Sequence, residues 1–311
     1  MPVHDLFGSP VPGLAAALAA AAAEAPIGGD GLVALPWFPF DVRSVPAVRR
    51  VAARIARRAD AACTYLRQVL GAAPALRLVV LDHAHWLAHA DTPEFGVVHV
   101  NGRGELVVGA EPAVAWTGVS RWLAAQLDAR TLAGLLRVHG LDPRTGGPAL
   151  GEVAEALIAH EIAHVLCDEQ GVRFPRRWLG EAFANYVMVA VLGETDPEGL
   201  RRLGSLADAA ATLAHLTPPL ARFEAEFGHL DVIPSVLAQL ALTRGVYGAY
   251  AAAQSAPLAL LYRSYAPRGG LTAVGNPDAD FELGRMLALH VHSTLAEIPE
   301  LFPAAPLRAA A

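Results

Sequence analysis

The stretch "LIAHEIAHVL", residues 157–166, carries His160, Glu161 and His164 in the order H-E-x-x-H. On a helix, residues four apart lie one above the other on the same face. His160 and His164 can therefore direct both imidazoles at one ion. Glu161 sits about 100° round from His160. It can reach a ligand on that ion without competing for the ion itself. Two neutral imidazoles suit Zn²⁺, and the carboxylate between them can take a proton from water that the ion activates. The plainer alternative is a buried helix whose two histidines are satisfied by neighbours. Leu157, Ile158, Ile162, Val165 and Leu166 predict a mostly buried helix. Two histidines and a glutamate in such a helix need partners, and a metal supplies them.

A catalytic zinc takes three protein ligands and keeps a fourth position open. The next predicted helix offers the third ligand in "WLGEAFANY", residues 178–186. Sixteen residues, 165–180, separate His164 from Glu181. Gly171 reads as the stop after the first helix, and "VRFPRR" is a short loop that brings the chain back. Two histidines and one glutamate on a divalent ion leave a net charge of about +1, which polarises both water and a carbonyl.

H-E-x-x-H followed by W-L-x-E-x-x-A-x-Y resembles the gluzincin metallopeptidases, in particular the peptidase MA-like group related to thermolysin and the zinc aminopeptidases. The matching positions are His160, Glu161, His164, Trp178, Leu179, Glu181, Ala184 and Tyr186. The resemblance implies an α+β, zincin-like fold and peptide-bond hydrolysis. It implies one Zn²⁺ per chain on His160, His164 and Glu181, with Glu161 as general base. The spacing to Glu181 is shorter than in thermolysin and suits the MA-like group. Ala182 stands where that group often has glycine. Asn185 stands where thermolysin-like enzymes place an aspartate that orients a ligand histidine. Its amide oxygen can still accept from an imidazole N–H, without the charge; the alternative is a polar residue facing a neighbour's backbone.

In the zinc aminopeptidases a tyrosine from C-terminal helices stabilises the oxyanion. "VYGAYAAAQSAPLALLYRSYAPRGG", residues 246–270, resembles a helix that follows the zinc site in MA-like peptidases. This makes Tyr250 the first candidate for that donor and Tyr247 the second, with packing as the alternative for each. Zincins lay substrate along an edge strand, and "ELVVGAEP", residues 105–112, is the candidate here. Gly109-Ala110-Glu111 is similar to the segment in which a zinc aminopeptidase glutamate holds the free amine. Before Pro112, Glu111 also reads simply as a strand-end residue.

The remaining sequence sets bounds. Hydrophobic residues make up 54% of the 311 and charged residues 17%, a globular composition and not a disordered one. Net charge is −6, and no basic run interleaves with aromatics, so nothing points to nucleic acid. Every basic residue is arginine, a mark of base composition from which no function follows. Cys63 and Cys167 do not make a disulfide framework; Cys167, one turn past His164, reads as a small buried hydrophobe. The run at residues 13–26 is too short and alanine-rich to span a bilayer and lacks a positive leader. The expectation is a cytoplasmic protein without a membrane partner, acting on a peptide or protein substrate.

Residues 1–30 read as an Ala-rich arm and 31–195 as an α+β catalytic part. Residues 196–311 read as a helical part that completes the cleft, with breaks at Pro218-Pro219, Pro234 and Pro267. Within the middle part the pattern predicts a helix from Pro46 to about Leu70 and a strand over 76–82. Two strands then flank Asn101-Gly102-Arg103-Gly104 as a hairpin, and a helix runs to about His139. Helices over 149–170 and 177–192 follow, the second closed by Gly193. Asp82-His83-Ala84-His85 and His290-Val291-His292 have H-x-H spacing but no third ligand, so both read as surface or structural. Beside the peptidase reading stand a non-catalytic zincin-fold binding or regulatory protein, and a helical protein with an accidental motif.

Overall fold

The computed structural model describes residues 31–267 and 279–304; the Ala-rich arm lies outside them. The chain is mixed α and β, mostly helical, with a small mixed sheet. Strands β1 (Val33–Ala34), β2 (Asp41–Ser44), β3 (Arg77–Leu81), β4 (His99–Val100) and β5 (Leu106–Gly109) align in the order β1-β2-β3-β5-β4. β2, β3 and β5 are parallel, while β1 and β4 pair antiparallel at the two edges. β3 is apolar from Leu78 to Leu81 because both faces are covered. Leu78 and Val80 join the main helical core. Val79 and Leu81 face a smaller core with Trp86 and Phe95. The two sets alternate as a strand requires.

Helix α1 (Arg49–Leu70) crosses from β2 to β3 and buries Ala52, Ile55, Ala59, Ala62 and Leu66. Its predicted first turn, Pro46–Val48, is 3₁₀. The helix expected to run to His139 is two: α2 (Val114–Gln126) and α3 (Ala129–His139). Asp128 divides them because its carboxylate accepts from the Arg130 and Thr131 amides and starts a new helix. After α3 comes a two-stranded ribbon, β6 (Leu141–Asp142) with β7 (Gly147–Pro148).

The central pair is α4 (Gly151–Gln170) and α5 (Arg177–Thr195). Gly171, at φ 66°, ends α4 with its N–H on the Cys167 and Asp168 carbonyls. α5 is buried from Trp178 to Leu192 apart from Gly180. Its start has no local cap. The carboxylate of Glu224, on the later helix Leu220–Glu226, accepts instead from the Arg177 and Trp178 amides at 3.2 and 2.6 Å, where the helix dipole favours negative charge.

Helices α6 (Pro197–Ala211), α7 (Leu220–Glu226), α8 (Val232–Ala253), α9 (Ala256–Tyr265) and α10 (Ala279–His290) form the C-terminal half. Pro234 lies in the first turn of α8, where a missing N–H costs nothing, so it does not break the helix. The break comes at Gln254, at φ 50°, whose carbonyl accepts from Tyr186 Oη at 2.8 Å. Among the described residues no helix is long and apolar enough to cross a membrane.

Candidate metal centre

α4 stacks His160 and His164 one turn apart, with ring planes 73° to one another and centroids 4.8 Å apart. α5 brings Glu181 against both. His160 Nε2 lies 3.1 Å from His164 Nε2 and 3.3 Å from Glu181 Oε2. His164 Nε2 lies 3.6 Å from the same oxygen. A tetrahedral ion with ligand bonds of about 2.0–2.2 Å spaces its ligand atoms about 3.3–3.6 Å apart. The two distances to Glu181 fall in that range and the His160–His164 distance is slightly shorter, so the group could hold a metal ion after a small spreading of the two rings. His160 and Glu181 are buried, and His164 is half-buried on the open side.

The electrostatics show what these groups do to one another without an ion. Burial alone pulls the His164 imidazole down, but the adjoining Glu181 carboxylate outweighs this and holds it up at about 9. Burial pushes the Glu181 carboxyl up, but the two imidazoles beside it keep it well below the usual carboxylate range. Glu161 is different. Burial raises its carboxyl above the ordinary value against the pull of the two histidines. It is therefore a better proton acceptor than a free carboxylate.

Asn185, one turn beyond Glu181 and buried, faces His160 with Oδ1 3.0 Å from Nδ1. That is the contact the resemblance implies. Its Nδ2 donates to Gln239 Oε1 at 2.8 Å, and Gln239 Nε2 donates to Glu181 Oε2 at 2.8 Å. Sequence reasoning missed Gln239. The signal is present: it is the only polar residue in "VLAQLAL", residues 236–242.

Glu161, the three candidate ligands, Asn185 and Gln239 line a cleft of about 600 Å³. Its walls are largely apolar and come from both halves of the chain. Trp116 and Leu157 lie on one side, Phe227 and Leu240 on the other.

Several expectations are corrected here. Tyr250 does not reach the cleft. Its hydroxyl packs against Gly193, and a Cβ built on Gly193 would lie 2.0 Å from it. Gly193 is twelve residues along α5 from Glu181, about 18 Å of helix. This contact also explains why Gly193 lies inside α5 instead of ending it. Tyr247 packs against Gly204 on α6 and is likewise turned away. The strand facing the cleft is not β5, which is flanked by β3 and β4. Glu94, Val97 and Val98, just before edge strand β4, line the cleft instead. Phe95, between Glu94 and Val97, packs into the small core beside Trp86. Glu111 is exposed and outside the lining.

One histidine of each H-x-H pair has a local structural partner. His85 Nδ1 lies 2.7 Å from Asp82 Oδ1. His292 Nδ1 accepts from the Thr294 amide at the start of a single-turn helix. Cys167 is buried and outside the ligand group. Comparison with protein-family models, curated proteins and solved structures gives no match for this chain.

Proposed function

We propose that this chain is a zinc-dependent peptidase of the gluzincin kind. The observation that carries this reading is the convergence of His160 Nε2, His164 Nε2 and Glu181 Oε2 within 3.6 Å of one another in the lining of an open cleft. Two imidazoles and a carboxylate are the donor set that suits Zn²⁺ with an open position. Zinc bound there supplies a Lewis acid that activates water and polarises a peptide carbonyl. Glu161 accepts the proton at its carboxylate and returns it to the leaving nitrogen, and its raised proton affinity suits both steps. Asn185 holds the His160 ring in place through Nδ1.

Peptide-library digestion by zinc-loaded protein and by Glu161→Gln tests this. The wild type is expected to cleave, while the variant keeps its zinc and loses cleavage. Undiminished cleavage by the variant would overturn Glu161 as the base. Free and blocked N-termini in the library separate aminopeptidase from endopeptidase action. One observation favours the second reading, a zincin-fold scaffold that binds without catalysis. Neither Tyr250 nor Tyr247 lines the cleft, so neither can stabilise an oxyanion there. On that reading zinc binds and no peptide in the library is cut.

A further inference from the structure

Between Glu181 and His160 runs a chain of two side-chain amides in which only one direction of donation is consistent. An ionised carboxylate only accepts. Gln239 must therefore present its NH₂ to Glu181 Oε2, at 2.8 Å. Its oxygen is then left for Asn185, which must present its own NH₂, also at 2.8 Å. The Asn185 oxygen is left for His160, so the imidazole carries its proton on Nδ1, at 3.0 Å. The Nε2 lone pair is then free on the side where Glu181 Oε2 and His164 Nε2 converge. Flipping Asn185 would oppose oxygen to oxygen at one end and crowd two N–H groups at the other.

We propose that Gln239 is a positioning residue for the metal centre. From a helix that supplies no ligand, it fixes the orientation of Glu181 and, through Asn185, the tautomer of His160. This rests on the reading of His160, His164 and Glu181 as metal ligands. Packing does not explain the residue. Gln239 interrupts the apolar run of residues 236–242, where a methionine would fill the same space without desolvating an amide. Both ends of its amide are instead used on groups that set the ligand geometry.

The test is zinc affinity of the full-length chain, measured by competition with a chromogenic chelator for wild type, Gln239→Ala and Gln239→Met. Thermal unfolding of each metal-free protein is recorded in parallel. The methionine variant keeps the volume and removes the hydrogen bonds. It is expected to unfold near the wild-type temperature yet bind zinc about 10–100-fold more weakly, the usual cost of losing a partner that orients a ligand. Gln239→Ala is expected to lose at least as much. Combining Gln239→Met with Asn185→Ala should weaken binding by less than the product of the two single effects, because both break one chain. Wild-type affinity in Gln239→Met would overturn the proposal and leave the metal centre standing. A wild type that binds no zinc would overturn both.

Discussion

Glu161 lies next in sequence to His160, a candidate metal ligand, yet is outside the candidate ligand group, and helical phase is the reason. One residue's rotation turns it off the His160–His164 face and onto the cleft. Replacing it with glutamine keeps shape and removes the base. Hydrolysis is expected to fall by about 10²–10⁴-fold with zinc content unchanged, read by parallel turnover and metal analysis. His164 makes a second prediction. In the metal-free chain its imidazole stands at about 9, above the ordinary 6.5. Its stabilising contribution is complete below about pH 6.5 and is lost as pH rises through about 9. Zinc needs the neutral ring, so its affinity rises across the same window. Denaturant unfolding of chelated protein and zinc titration, each from about pH 6 to 9, should move in opposite directions.

At the scale of elements, α4 and α5 were legible because their signals are local. The i, i+4 histidines, the Gly171 stop and the Trp178-to-Tyr186 pattern each depend on near neighbours. What stayed hidden depends on how distant helices are set against one another. Nothing near Tyr250 says that its ring lies on Gly193, and nothing near Gln239 says that it meets Glu181. Gly193 is deceptive for the same reason: a glycine that admits a tyrosine from another helix looks, in sequence, like a helix stop. The split at Asp128 was readable from its spacing to Thr131, but the apolar pattern runs straight through it. Gly193→Ala should therefore cost about 1–3 kcal/mol by overpacking against Tyr250, seen as a lower denaturation midpoint. Zinc affinity should be unchanged, because the site lies about 18 Å further along the helix.

For the whole molecule, the site joins the two halves. The ligands come from α4 and α5, and the amide that steadies Glu181 comes from α8, in the C-terminal half. A bound ion therefore draws on both halves and stabilises the folded chain by mass action. At about 100 times its dissociation constant, zinc is expected to add about 2.7 kcal/mol. A chelator should remove that increment, and Glu181→Ala should never show it. The central claim is that these three side chains hold one ion, and metal content tests it most directly. Elemental analysis should find about one zinc per wild-type chain and a clear loss in Glu181→Ala. A wild type without zinc after loading, or a Glu181→Ala variant that keeps it undiminished, would contradict the account.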